Sequence, residues 1–240
     1  MKRILTGLAD IIFPPRCLTC DFILDHRENF PVCPSCFSKI KFITSPICIC
    51  CGIPFTGADE SDHLCGDCII SKPAFSLARA VGHYEATLLD TIHNFKYSGK
   101  IAIGKILGQL MAEYEYPAFN ISDFTLIMPV PLHSKRLRER GFNQSVILAK
   151  EIAGRHHIPL DFLTLKRYIY TEPQVNLGKK ERESNVRGAF DVKGQEKILN
   201  RKIILVDDVY TTGSTLKECA RILMKKGAAS VAVLTLARAV

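Results

Sequence analysis

IILVDDVYTTGSTLKECARIL, residues 203–223, decides the fold. Ile203 to Val206 are β-branched residues or leucine and follow the polar turn Asn200-Arg201-Lys202, the pattern of a buried parallel strand. Beyond Ser214, the apolar positions Leu216, Cys219, Ala220, Leu223 and Met224 fall at helical spacing. The intervening Asp207-Asp208-Val209-Tyr210-Thr211-Thr212-Gly213-Ser214-Thr215 is then expected to be a strand-to-helix loop.

The chemistry of that loop points to an anion beside hydroxyl groups. A helix N-terminus offers unpaired backbone N–H groups and partial positive charge, so a small-residue loop opening a helix can cradle a phosphate. Gly213 allows close backbone approach, and Thr211, Thr212, Ser214 and Thr215 add hydroxyl donors. Asp207 and Asp208 are unsuited to an anion but suit ribose hydroxyls or a Mg2+ carried by a diphosphate. Phosphate and vicinal hydroxyls together describe a ribose 5-phosphate. The competing reading is an ordinary turn in which Thr212 or Ser214 caps the helix. VDDVYTTGST resembles the phosphoribosyl diphosphate (PRPP) loop of type I phosphoribosyltransferases. That resemblance implies ribose contacts for Asp207 and Asp208 and 5-phosphate contacts for Thr211 to Thr215.

Upstream, Ala78–Tyr84 and Phe124–Val130 are expected as strands. Helices are expected over residues 85–95, 101–115 and 143–156, and a last strand over residues 230–236. Alternating strands and helices predict an α/β fold with a doubly wound, mostly parallel sheet. Lys96 lies in a basic aromatic turn and reads either as a solvated charge or as a group facing substrate. The segment from Ser134 to Gln144, expected as a loop at the carboxyl end of a strand, carries Lys135, Arg136, Arg138 and Arg140 where open α/β sheets bind ligands. Four cations there suit a diphosphate; a solvated basic face is the alternative. Tyr168 to Phe190 is a long polar connection, with Lys179, Lys180, Arg182 and Arg187 placing positive charge near the anion seat.

Of ten cysteines, eight form Cys-x-x-Cys pairs: Cys17/Cys20, Cys33/Cys36, Cys48/Cys51 and Cys65/Cys68. Each such turn aims two thiolates at one tetrahedral ion, and two turns complete a structural zinc site. The spacing suggests consecutive zinc ribbons, with interleaved pairing, Cys50 in place of Cys48, and His63 as alternatives for the second. Disulfides compete, but they need an oxidising compartment. A segment this short and poor in large apolar residues takes its folding energy from the metal, as a metal-held lid or spacer. Ser71-Lys72-Pro73 marks the expected boundary, giving an N-terminal segment of residues 1–72 and a larger domain of residues 73–240.

The chain has 240 residues, 47% hydrophobic and 23% charged, and a net charge of +8. That is the composition of a soluble globular protein, and the charge suits small anions or nucleic acid. No apolar run reaches the length of a membrane span, so membrane insertion is not expected. The start MKRILTGLADIIF reads as a short amphipathic helix, and a cytoplasmic location is expected.

FPPRCLTC, LCGDC, FKYSGK, PVPLHSKRLRERGFNQS, TEPQVNLGKKERESNVRGAF and ILVDDVYTTGST, in that order, resemble the ComF family of competence proteins over nearly the whole chain. The resemblance implies a zinc-ribbon segment joined to a type I phosphoribosyltransferase domain and an association with uptake of transforming DNA. It further implies structural zinc, PRPP with magnesium at Asp207–Thr215, and a diphosphate approached by the Pro131–Arg136 loop with His133 and Arg136. Thr171–Arg187 is similar to the mobile loop that covers substrate, with Gln174, Arg182, Asn185 and Arg187 as contacts. Tyr210 departs mildly from the pattern, standing where a small apolar residue is usual. Single-stranded DNA and a competence helicase or channel protein are the further partners expected. Cys219 reads as a small core residue.

Overall fold

The computed structural model describes residues 14–24, 32–57, 61–97, 101–170 and 185–240. Six strands are described, β1 (Leu77–His83), β2 (Leu126–Pro129), β3 (Leu165–Arg167), β4 (Phe190–Val192), β5 (Lys202–Tyr210) and β6 (Ser230–Arg238). The described helices are α1 (Pro34–Phe37), α2 (Gly66–Ile70), α3 (Ala86–Tyr97), α4 (Ile101–Glu113), α5 (Ser134–Arg140), α6 (Gln144–His156) and α7 (Ser214–Lys225). The main sheet has order β1-β6-β5-β2 with every neighbouring pair parallel. The expected doubly wound arrangement is present.

Burial on both faces follows from the sequence of the central strands. Ile203, Leu205, Val231 and Val233 face a layer made by Leu216, Cys219, Ala220 and Leu223 of α7. Ile204, Val206, Leu234 and Leu236 face Leu88 and Ile92 of α3, Leu107 of α4 and Leu148 and Ile152 of α6. Alternate residues of one strand thus feed two cores, which is why the run is apolar without interruption.

Both sheet edges are covered by irregular chain. Along β1, Ile43 donates to the Val81 carbonyl at 2.9 Å, His83 to Lys41 at 2.9 Å and Ala78 to Cys50 at 2.7 Å. On the far side, Ile127 of β2 donates to Pro159 and receives a bond from Asp161, each at 2.9 Å. Such bonds satisfy edge groups that would otherwise template aggregation. The cysteine-rich chain is therefore part of the sheet's frame: Cys48, Cys50, Cys51 and Cys68 share a core with Phe75, Tyr210 and the α7 face. Gly52 permits this docking, since its φ is +70° and a Cβ would collide with the Ala78 carbonyl.

Two local expectations are corrected, and one unexpected pairing is added. β5 continues past Val206 to Tyr210, so Asp207 and Asp208 end a strand instead of opening a loop; pairing of Asp207 with Thr235, Val209 with Ala237 and Tyr210 with Arg238 holds them extended. The connection after β2 contains α5, capped at one end by His133 and at the other by Gly141 at φ +80°. Finally, Leu165–Arg167 and Phe190–Val192, flanking the long polar connection, close an antiparallel pair. The expected amphipathic helix at the start of the chain, Gln174 and Arg182 lie outside the described residues.

Candidate functional site

The carboxyl end of β5 meets the N-terminus of α7 across residues 211–213. Gly213 adopts φ +73° as the helix N-cap, and no side-chain cap bond is made there. Thr212 and Ser214 hydroxyls instead bond each other at 2.8 Å, while the Ser214 amide lies 3.5 Å from Thr212 Oγ1, at the limit of a hydrogen bond. The N-cap Gly213 itself thus carries no side-chain cap, and Thr212 touches only the first helical amide, at the limit of a bond. Thr211 is exposed and Thr215 half-buried. Beneath the loop lies Tyr210, 4% exposed, whose ring and hydroxyl occupy the space a Gly213 side chain would need.

Two helices converge on the acidic pair. Ser145, near the start of α6, donates to Asp207 Oδ1 at 2.8 Å, and the Asp208 amide donates to the same oxygen at 2.9 Å. Lys96, in the last turn of α3, places Nζ 2.8 Å from Asp208 Oδ2. Burial first, then the neighbouring Asp208 charge, lifts the Asp207 carboxyl from 3.8 to about 7. Burial alone would lower the Lys96 ammonium, yet Asp208 outweighs it and the net movement is upward. The two acids therefore differ in surroundings: Asp208 is paired with the Lys96 ammonium, and the Asp207 carboxyl is held well above the usual carboxylate range. Carboxylate oxygens so placed can accept hydrogen bonds from hydroxyl groups.

His133 and Arg136 sit at the start of α5. His133 Nδ1 accepts from the Lys135 amide at 3.2 Å, and its ring meets Tyr170 edge-on at 5.4 Å, while Lys135 lies 4.4 Å from that ring's centre. Arg136 is close enough to Arg167 to depress it, after burial, while Asp207 acts on Arg167 in the opposite sense. The structure thus brings Arg136 within electrostatic reach of Arg167 and turns His133 toward capping. Arg187 is exposed and sits beside Glu218 of α7, whose carboxylate also accepts from the Gly188 amide at 2.8 Å. Asn185 is half-buried, with a side-chain nitrogen lacking a hydrogen-bond partner among the described residues. Ser145 and Arg167 were missed by the sequence reading; each reaches Asp207 only through long-range packing.

Two sulfur clusters form separately. Cys17, Cys20, Cys33 and Cys36 make one, and Cys48, Cys51, Cys65 and Cys68 the other, with all sulfurs in each within 4.8 Å of one another. Sequential pairing holds. Cys50 is outside the second quartet, and His63 stacks on Phe55 at 4.0 Å instead of joining it. Zinc fits both on geometry: the Cys20–Cys33 and Cys51–Cys65 sulfur separations are 3.7 Å, and a tetrahedron with Zn–S near 2.3 Å has edges of about 3.8 Å. The thiol chemistry agrees. In the second quartet burial would raise Cys48, but amides of Cys65 and Cys51, each 3.4 Å from its sulfur, bring it down to about 6. Burial drives Cys51 up to about 11. Cys17 at about 6 and Cys36 at about 12 repeat the pattern in the first quartet. In each cluster one thiol is thus biased toward the thiolate, and a buried neighbour is biased against it unless a cation is bound.

Comparisons with known proteins bear on both parts of the chain. A double zinc ribbon domain model matches residues 8–69, and a phosphoribosyl transferase domain model matches residues 142–239. Competence protein F of Haemophilus influenzae is 32% identical over 228 residues, covering 93% of this chain and 97% of the relative. The chain belongs to the ComF family. Competence protein ComFC of Bacillus subtilis is 35% identical over 242 residues, covering 92% of this ComF chain and 94% of its own. DNA utilization protein YhgH of Escherichia coli is 32% identical over 214 residues, with 88% and 91% covered. Among solved structures, a glutamine phosphoribosylpyrophosphate amidotransferase from B. subtilis is similar at 21% identity and TM-score 0.38, over 55% of the ComF chain and 25% of that enzyme. No described helix of this ComF protein is long and apolar enough to cross a membrane.

Proposed function

We propose that this protein binds PRPP, seating the 5-phosphate on the amides at the start of α7 and the ribose hydroxyls on Asp207 and Asp208. The observation that carries the reading is the juxtaposition at the end of β5: a helix N-terminus without a side-chain cap, opened by Gly213 at φ +73°, directly after two buried or half-buried acids. Thr211, Thr212, Ser214 and Thr215 add hydroxyls to the phosphate seat. Asp207, its carboxyl raised to about 7, can accept from a ribose hydroxyl or, in its protonated form, donate to one, and Ser145 orients it. Lys96 holds Asp208 and brings a cation to the sugar's edge. Arg136, with Gln174, Arg182 and Arg187 of the polar connection, and His133 are the groups assigned to the diphosphate side.

Magnesium, expected with PRPP, would neutralise the leaving diphosphate. Because Lys96 already occupies Oδ2 of Asp208, the dyad is matched to hydroxyls better than to a bare cation. The reaction this arrangement supports is attack of an acceptor nucleophile on ribose C1, forming its bond there as the bond to diphosphate breaks, with cations stabilising charge on the departing group. Residues 1–72 serve as the ribbon segment and 73–240 as the phosphoribosyltransferase-like domain. A reducing cytoplasm suits two sites built from free thiols. Titration calorimetry with PRPP and Mg2+ tests the reading: saturable heat in the wild type, lost in Asp207→Ala/Asp208→Ala, supports it, and no heat in the wild type refutes it.

A second reading is favoured by a specific surface. Tyr97 is 67% exposed with the Arg140 guanidinium 5.5 Å from its ring centre, and Tyr170 carries Lys135 in the same way. Aromatic rings interleaved with cations suit single-stranded DNA, and relatives are named for competence and DNA utilization. Affinity for an oligonucleotide should then fall steeply with salt and drop on Tyr97→Ala. Binding indifferent to both changes excludes this reading.

A further inference from the structure

A continuous line of buried contacts joins the second cysteine quartet to the floor of the phosphate loop. Arg238, the last residue of β6, is 6% exposed. Its Nη1 donates to the Cys51 carbonyl at 2.7 Å, and its Nη2 lies 3.5 Å from Cys51 Sγ. The same guanidinium stacks on Tyr210 with 4.0 Å between its central carbon and the ring centre. Tyr210 in turn fills the space directly under Gly213, and Phe75 closes the ring's edge at 6.4 Å.

We propose that Arg238 is a positioning residue, tying the second zinc ribbon to Tyr210 so that an assembled metal centre holds residues 211–213 in the shape that receives phosphate. The physical basis is mutual. A buried guanidinium needs a counter-charge and fixed acceptors, and a tetrathiolate zinc centre supplies net negative charge together with a rigid Cys51 carbonyl. A planar cation locked in place gives the Tyr210 ring a fixed stacking partner. Loss of the metal frees the Cys51 turn, strands Arg238 and releases the ring that supports Gly213. Arg79 supplies the internal contrast. It is also buried and also reaches the ribbon, through the Ile49 carbonyl at 3.3 Å, but its other bonds go to the Pro117 and Ala78 carbonyls.

Hydrogen exchange in the full-length, ligand-free protein decides the matter, with zinc content measured in parallel. Arg238→Lys cannot make the bidentate, stacked contact; it should keep its zinc while the amides of residues 210–216 exchange about tenfold faster than in the wild type. Chelation of the wild type should speed the same amides, and Arg79→Lys should leave them unchanged. Tyr210→Leu, which keeps the Cys51 contacts, serves where Arg238→Lys fails to fold: its loop should exchange fast with zinc bound, and chelation should add nothing. Wild-type exchange in a folded Arg238→Lys, equal acceleration by Arg79→Lys, or a chelation effect that survives Tyr210→Leu overturns the proposal. The ligand arm rests on the PRPP reading: zinc-loaded Arg238→Lys should bind PRPP about tenfold more weakly, which corresponds to about 1.4 kcal/mol, and unchanged affinity counts against the coupling. A wild type that binds no PRPP refutes the proposed function alone, since the exchange experiment still decides the coupling.

Discussion

Replacing Asp207 by Asn removes a charge that the fold accommodates at a cost. Its carboxyl rises from 3.8 in the unfolded chain to about 7, through burial and then through Asp208. A group raised in this way contributes most stability below its unfolded value and loses it as pH climbs through the folded one. With each tenfold change in acidity worth about 1.4 kcal/mol, the ceiling on that loss is about 4 kcal/mol. Relaxation and water entry bring the expected figure to about 1–2 kcal/mol. Asn keeps an oxygen for the Ser145 hydroxyl and the Asp208 amide, so the substitution isolates the charge. Equilibrium urea unfolding of both proteins in zinc-replete buffer, from pH 4 to pH 8, is the assay. Asp207→Asn should match the wild type at pH 4 and exceed it increasingly up to pH 7, levelling beyond. Parallel curves across the whole range would refute the buried, proton-exchanging acid.

Gly213→Ala should cost about 1–3 kcal/mol, because φ +73° is strained for alanine and the new methyl meets Tyr210; PRPP affinity should fall with it, as calorimetry would reveal. Metal analysis should find both quartets loaded, and chelation should release the zinc with uptake of protons by the thiols, measurable in weakly buffered solution. Cys48→Ser should lower the unfolding temperature of the sheet more than Cys17→Ser, since Cys48 shares a core with Tyr210 and α7 while Cys17 packs in a cluster of its own.

The sequence announced the parts that depend on local pattern. Ile203–Val206, the α7 stripe and the Cys-x-x-Cys spacing each carry their geometry in consecutive residues. The strand's true end at Tyr210 was hidden because Asp207 and Asp208 interrupt the apolar run, and only pairing with β6 keeps them extended. Ser134–Arg140 has two turns and no buried residue, so no periodic stripe could betray a helix. Ser145 and Arg167 reach Asp207 from 62 and 40 residues away in sequence, and nothing in their neighbourhoods marks them. The ribbons were legible as metal knuckles but not as the cover of β1, a role set by backbone bonds between distant segments.

The sugar-phosphate seat is tested most directly by a crystal structure of the zinc-loaded protein soaked with PRPP and Mg2+. The 5-phosphate should lie within hydrogen-bonding distance of the Gly213–Thr215 amides, with the ribose hydroxyls on Asp207 and Asp208. A phosphate bound elsewhere, or a loop whose amides stay turned away from the ligand, would contradict it.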